Sequence, residues 1–180
     1  NPVTALVLIP GQPVCAGVDQ TITVVGSAVG TTYQALNGTT PVGAPVLGTS
    51  GDITLVIPAA DMNVGSNTFS VLATSAQNCF SNNQATVTVT VLPNPTATLN
   101  VTVQEPTYCE GTNAVIIITN SQNNPFLVTY QVRDSLGVLI GQTYAGNGGT
   151  LNIPVPAANL LPGNNTFTVS ATNTANGCAI

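Results

Sequence analysis

The chain has 180 residues, room for one large domain or two small ones, and only 4% of them are charged, where a soluble domain ordinarily carries about a quarter. Arg133 is the single cation against Asp19, Asp52, Asp61, Glu105, Glu110 and Asp134, a net charge of -5, and Lys, His and Trp are absent from the sequence. Without imidazole there is no Ser-His-Asp or Cys-His nucleophile system and no His-ligated metal, and a single cation excludes recognition of a phosphate backbone.

A hydrophobic content of 43% is that of a folded protein; Thr, Asn, Ser and Gln take the place of charge on the surface. In chain order, the short β-branched stretch Ala5 to Pro10 predicts a strand. Gln20 to Val25, Asp52 to Ile57, Asn67 to Thr74 and Ala85 to Val91 alternate apolar and polar residues at period two, the pattern of strands with one buried and one solvated face. Ala114 to Ile118 predicts a further strand. Asp134-Ser135-Leu136-Gly137 reads as a hairpin turn between Tyr130-Gln131-Val132 and Val138-Leu139-Ile140. Turn clusters stand at Gly48-Thr49-Ser50-Gly51, Asn63-Val64-Gly65 and Gly146-Asn147-Gly148-Gly149. No stretch predicts a helix, no apolar run reaches membrane-spanning length, and Asn1-Pro2-Val3 lacks the basic start of a signal peptide.

The second half repeats the first. Ile57-Pro58-Ala59-Ala60-Asp61 aligns with Val155-Pro156-Ala157-Ala158-Asn159, and Asn67-Thr68-Phe69 with Asn165-Thr166-Phe167, both at an offset of 98. Val14-Cys15-Ala16-Gly17 matches Tyr108-Cys109-Glu110-Gly111, Tyr33-Gln34 matches Tyr130-Gln131, Cys79 matches Cys178, and Asn1-Pro2 matches Asn94-Pro95. The repeats therefore run 1–93 and 94–180, joined at Leu92-Pro93-Asn94-Pro95, where two prolines favour an extended connector. Their size and roughly seven short strands in the first predict an all-β fold of two tandem immunoglobulin-like β-sandwich domains. After Cys79 the first repeat continues through Ala85 to Val91, whereas the sequence stops at Ile180. The second repeat thus lacks its last strand, either because these residues are a window on a longer array or because a neighbouring chain donates that strand.

Four cysteines permit three pairings. The repeat selects Cys15 with Cys79 and Cys109 with Cys178, one bridge per domain, each worth roughly 4 kcal/mol by loop closure. Zinc spacing is absent, and disulfides place the protein outside the reducing cytosol, extracellular or on the cell surface.

Cys15-x-Gly17, Gly30-Thr31-Thr32-Tyr33, the Ile-Pro-Ala-Ala segment, Pro162-Gly163-Asn164-Asn165-Thr166-Phe167-Thr168-Val169 and Asn176-Gly177-Cys178 together resemble the tandem immunoglobulin-like repeats of large Bacteroidetes cell-surface proteins. The resemblance covers essentially the whole chain, once per repeat. It implies export by type IX secretion and a place in a gliding adhesin or other surface fibre. It also implies O-glycosylation at Ser135, within the Asp-Ser-apolar pattern Asp134-Ser135-Leu136, whose alternative reading is the hairpin turn. Asn37, Asn100 and Asn164 open Asn-x-Ser/Thr sequons, as expected in so Asn- and Thr-rich a chain.

Nothing in the spacing of the six carboxylates suggests a catalytic pair, and the linker offers none for calcium. No catalytic residue, metal site or cofactor is expected. Phe69 with Phe167, and Tyr33 with Tyr130, recur at equivalent strand positions and are expected in the cores; Phe80, Phe126, Tyr108 and Tyr144 complete the aromatics. The sequence thus predicts a structural and adhesive extracellular segment of a bacterial stalk or fibre. Its partners are neighbouring repeats or identical chains, with surface glycans or proteins as further ligands, and neither nucleic acid nor a membrane span. One alternative is a pilus- or S-layer-like subunit polymerising by strand donation at the open edge of the second repeat. Another is a glycan- or protein-binding module using the sandwich-end loops Gly43 to Gly51 and Ala145 to Gly149.

Overall fold

Alternating apolar and hydroxylated residues decide the architecture. A computed structural model describes residues 6–77, 79–80, 85–95, 99–123 and 127–180, and it divides into two compact units, Asn1–Pro93 and Asn94–Ile180. The repeat start Asn1-Pro2 and Phe126 lie outside the described residues.

Among its described residues the first unit has eight strands: β1 (Val7–Pro10), β2 (Val14–Cys15), β3 (Gln20–Val25), β4 (Thr31–Asn37), β5 (Thr40–Leu47), β6 (Ile53–Ile57), β7 (Gly65–Ser75) and β8 (Thr86–Leu92). They form two sheets, β1-β3-β6 and β2-β8-β7-β4-β5. Every pairing is antiparallel except β2 with β8, which is parallel. Period-two alternation turns Ile22 and Val24 of β3 and Leu55 and Ile57 of β6 against Tyr33, Phe69, Val71, Val87 and Val89 of the other sheet, all buried in one core.

The second unit has six strands among its described residues: β9 (Asn100–Val103), β10 (Ala114–Thr119), β11 (Val128–Asp134), β12 (Leu139–Ala145), β13 (Leu151–Val155) and β14 (Phe167–Asn173). Its sheets are β9-β10-β13 and β12-β11-β14. The core gathers Ile116, Ile118, Ile153 and Val155 against Val128, Tyr130, Val132, Ile140 and Ala171. The protein is thus all β, two β-sandwiches in tandem.

Among its described residues the second sandwich shows no counterparts of β8 and of β2. The two go together: β2 pairs with β8 alone, so without that strand Tyr108-Cys109 has no ladder to join. β14 is also shorter than its counterpart β7, seven residues against eleven. Its outer side pairs, among the described residues, where Ala171 and Ile180 exchange two backbone hydrogen bonds of 3.0 Å. Phe69 and Phe167 differ accordingly. Phe69 faces Val87 of β8 across the ladder and is 1% exposed, whereas Phe167 packs on its core only partly buried.

Prolines mark the sheet edges. β5, an edge strand, contains Pro41 and Pro45, and β1 and β13, also edges, contain Pro10 and Pro154. Proline cannot donate to a ladder and is confined to such positions. The segment Gly43 to Gly51, expected as a loop, is half strand, because β5 continues through Leu47.

Candidate functional site

Because the two units repeat one another, a candidate site is a place where they share a structure or depart from it. The shared features are hydrogen-bonded turns. At the start of each unit the cysteine carbonyl accepts from the backbone three residues on: Val18 N donates to Cys15 O and Thr112 N to Cys109 O, each 3.1 Å. The third residue of each turn is glycine at positive φ, Gly17 at 88° and Gly111 at 80°, as a type II turn requires. Asp19 Oδ1 accepts from Ala59 N at 2.8 Å, and Asn113 Oδ1 from Ala157 N at 2.9 Å. These bonds dock the Pro-Ala-Ala segments, each a single turn of 3₁₀ helix (Ala59–Asp61 and Ala157–Asn159).

The Asn-Thr-Phe motifs act likewise. Asn67 Oδ1 accepts from Asn63 N and its Nδ2 donates to Asn63 O and Gly65 O; Asn165 makes the same three bonds to Leu161 and Gly163. Tyr33 and Tyr130, both buried, accept through their hydroxyls from Ala28 N (2.8 Å) and Gln122 N (2.6 Å). Ser27 and Ser121 donate to the carbonyls of Gly51 and Gly149. A Cβ at Gly48 would collide with the Ala28 carbonyl oxygen, and one at Gly146 with that of Gln122. Glycine is therefore required where these loops close, and the candidate loop Ala145 to Gly149 is a pinned element.

The cysteines correct an expectation. Cys15 and Cys178 are disulfide-bonded, whereas Cys79 and Cys109 are exposed free thiols. The pairings Cys15 with Cys79 and Cys109 with Cys178 do not form, and strand geometry explains why. Cys15 lies beside Leu92 of β8, whose neighbour Val91 faces Gly65, the first residue of β7. Cys79 is tied to the other end of β7, its carbonyl accepting from Ser75 N at 3.0 Å and its amide donating to Ser75 Oγ at 3.2 Å. At about 3.3 Å per residue the ten steps of β7 hold the two cysteines about 30 Å apart, and a disulfide needs Cα atoms within about 7 Å. In the second unit, Cys178 accepts from Asn173 N at the end of β14. Cys109 precedes the Ala114 end of β10, which pairs with the Val155 end of β13. The opposite end of β10 leads through Gln122 to the Tyr130 hydroxyl, and Tyr130 faces Ala171 close to that Asn173 end. Each sandwich thus carries one cysteine at each pole.

The charged groups hold turns. Asp52 Oδ1 accepts from Gly26 N at 2.9 Å, and Asp134 Oδ1 from Leu136 N and Val138 N at 2.9 and 2.8 Å. Arg133 donates to Gly137 O and Gln131 Oε1. Asp61, Glu105 and Glu110 are exposed, Asp61 ending the first 3₁₀ turn, Glu105 following β9 and Glu110 in the turn after Cys109. Ser135 is exposed at the tip of the β11–β12 hairpin, as are Asn37, Asn100 and Asn164 at their positions. Among the described residues no group of three or more Cys, Asp or Glu is placed to hold a metal, and no helix is long and apolar enough to cross a membrane.

A shallow depression of about 440 Å³ in the first unit is lined by Asn37, Thr40, Val42, Ala60, Asp61, Met62 and Asn63. Among the described residues the aromatics build no platform: Tyr33, Phe69 and Tyr130 are buried, Tyr108, Tyr144 and Phe167 pack on the second core, and Phe80 is 61% exposed.

No family model matches the chain and no curated protein matches it. Solved structures with a similar course include the human OSCAR ligand-binding domain (10% identity, TM-score 0.36, covering 97% of this chain and 93% of that one) and Rst D1-D2 (14%, 0.38, 97% and 94%). A third is the BSP domain of a biofilm associated protein (19%, 0.30, 94% and 27%). At these scores none of the likenesses bears on what the chain does.

Proposed function

We propose that the chain is a structural and adhesive extracellular segment, a run of β-sandwich repeats in a bacterial surface stalk or fibre. The observation that carries this reading is a contrast between the two repeats. What they share is scaffold: the Cys-x-Gly turn, the docked Pro-Ala-Ala segment, the asparagine clamps and the tyrosine bonds. What they do not share is the surface chemistry a ligand would use. Asp61 is replaced by Asn159, Ala16 by Glu110 and exposed Phe80 by Ala179. A repeated binding function would keep its contact residues, whereas a spacer needs only its shape and stiffness. Stability in such an array is approximately the sum of unit and interface terms.

The disulfide favours an oxidising compartment, and the resemblance to Bacteroidetes repeats adds type IX export and a glycan on Ser135, which sits in the open at a hairpin tip. Electron microscopy of native material tests the reading: beads strung along one thread support it, and short monodisperse monomers with measurable glycan affinity overturn it. Intact mass settles the glycan, since agreement with 18.1 kDa for this stretch leaves none on Ser135.

One observation favours a second reading. The outer side of β14 is covered far less than that of β7, which β8 pairs from Gly65 to Ser70. A strand from another chain would complete the three-stranded sheet and bury Phe167, as in strand-donation polymers. A peptide with the sequence Ala85 to Leu92 that stabilises the second unit would support this; no shift in its unfolding at millimolar peptide would remove it.

A further inference from the structure

Three Asn-Gly steps occur in the sequence, Asn37-Gly38, Asn147-Gly148 and Asn176-Gly177. Glycine brings no Cβ to shield its backbone nitrogen, so that nitrogen can reach the preceding carboxamide carbon and close a five-membered ring. Whether it does so depends on how firmly the fold holds the carboxamide and the glycine amide, and here the three steps differ.

Asn147 and Asn176 are clamped. Asn147 Oδ1 accepts from Gly149 N at 2.8 Å, and its own amide donates to Ser121 Oγ at 3.2 Å. The preceding residue, Gly146, lies so close to the Gln122 carbonyl that a Cβ would not fit. Asn176 is half-buried and its Oδ1 accepts from Cys178 N at 2.9 Å, while Gly177 N is engaged with Asn173 O at 2.8 Å. In both, the side-chain carbonyl is turned onto the amide two residues on, as in an Asx turn, and past the glycine nitrogen between.

Asn37 is not held in this way. It is exposed at the end of β4, and its carboxamide has no hydrogen-bond partner among the described residues. Gly38 N makes no turn bond and belongs to no ladder pair. Gly38 has φ 61°, whereas Thr39 is not at positive φ, which makes a two-residue type II′ turn between Asn37 and Thr40. Rotating the Asn37 backbone to bring Gly38 N onto Cγ gives up the last ladder pair, Asn37 with Thr40, and leaves Ala35 with Val42 and Tyr33 with Val46 in place.

We propose that Asn37 is a self-modification site, converted through a succinimide with Gly38 into an aspartyl or isoaspartyl residue. Gly38 N bonds to Asn37 Cγ, the Cγ–Nδ2 bond breaks, and Nδ2 leaves as ammonia with the proton that Gly38 N gives up. Water then opens one of the two ring carbonyls. Opening at Cγ gives aspartate; opening at the backbone carbonyl gives isoaspartate, with the chain running on through Cγ. Both products carry a carboxylate whose proton passes to solvent. Asn37, Asp61 and Asn63 line the same depression, so the reaction sets a second carboxylate among its polar groups. The second repeat already accommodates a carboxylate at this place: Asp134 ends β11 four residues after Tyr130, as Asn37 ends β4 four residues after Tyr33.

The test incubates the 180-residue chain at mildly alkaline pH, folded and in urea, and maps its peptides by mass spectrometry. In the folded chain Asn37 should exchange ammonia for water at least about tenfold faster than Asn147 or Asn176, the factor that one or two net hydrogen bonds are worth. In urea the three rates should converge. Hydroxylamine, which cleaves succinimides, should cut the folded chain chiefly between Asn37 and Gly38, and enzymatic methylation should label isoaspartate at position 37. Ser121→Ala, which loosens the Asn147 loop, should raise the rate at Asn147 and leave that at Asn37 unchanged. Equal rates at the three sites in the folded chain, faster loss at Asn147 or Asn176, or an intact Asn37 when the urea sample has reacted would overturn the proposal.

Discussion

Substituting Phe69 and Phe167 by alanine, one at a time, compares the same side chain in a closed and an open sandwich. Phe69 is 1% exposed and lies between the sheets opposite Val87, so alanine removes a buried ring and leaves a void sealed by β8. Burial of roughly 100 Å² of ring at about 25 cal/mol per Å² gives ~2.5 kcal/mol, and the residual cavity raises the cost to about 3 to 5 kcal/mol. Phe167 packs on the second core with no strand pairing on its outer side among the described residues. Water can enter the space its ring leaves, so the cavity contribution lapses and about 2 kcal/mol remains. With no tryptophan in the chain, calorimetry is the suitable assay, because each unit can melt separately. A domain of this size shifts by about 4 to 8 °C per kcal/mol. Phe69→Ala should lower its unit's transition by 12 °C or more, and Phe167→Ala should lower the other by roughly half as much. Equal shifts, or a shift under about 4 °C for Phe69→Ala, would show that β8 does not seal that core.

Further outcomes follow from the shared turns. Asn67→Ala and Asn165→Ala each remove three hydrogen bonds to the turn before the Phe strand and should each cost about 1 to 2 kcal/mol, read by urea unfolding. Tyr130→Phe keeps the ring but takes the acceptor from Gln122 N, a loss of about 1 to 2 kcal/mol with the fold retained by circular dichroism. Gly146→Ala drives a Cβ into the Gln122 carbonyl and should cost more than about 2 kcal/mol; an unchanged midpoint would contradict the close approach. Arg133 is paired on both sides, with Leu139 and Thr168, so trypsin should leave the folded chain whole and cut it once after unfolding.

The fold was largely legible because its signal is periodic. β3 and β10 fall at or within a residue of the expected strands, since Gln20 to Val25 and Ala114 to Ile118 carry the alternation or β-branching that a sandwich face needs. β5 was hidden by Pro41, Gly43 and Pro45, which read as loop until the strand is seen at a sheet edge, where unpaired backbone makes proline acceptable. The disulfides misled for a different reason. An internal repeat shows which positions are equivalent, and equivalent positions are not thereby partners. Cys15 and Cys79 share a repeat, yet they flank opposite ends of the eleven-residue strand β7. The signal that would have exposed this was present in the sequence: one cysteine precedes the first long strand and the other follows the longest one. Strand lengths counted along the antiparallel path place the two apart.

The scarcity of charge bears on the edges of the sheets. Proteins commonly guard edge strands with lysine, which resists sideways pairing by another chain, and this chain contains none. Its edges instead carry Pro10 in β1, Pro41 and Pro45 in β5 and Pro154 in β13, each deleting a donor that an incoming strand would need. β14 carries no proline along Phe167–Asn173, and it is the strand whose counterpart β7 is covered by β8. The edge strands β6, β9 and β12 carry none either, so proline guards some of the edges and not others. This protection does not depend on ionic strength, whereas a lysine guard weakens as salt screens it. The midpoint of unfolding should move by no more than about 2 °C between 0.05 and 1 M salt, and the monomer should stay soluble across that range with the β14 edge satisfied. Placing Pro10→Val, Pro41→Val and Pro45→Val in one chain should restore three donors and produce association on size-exclusion chromatography. If that variant stays monomeric at high concentration and high salt, proline is not what keeps these edges apart.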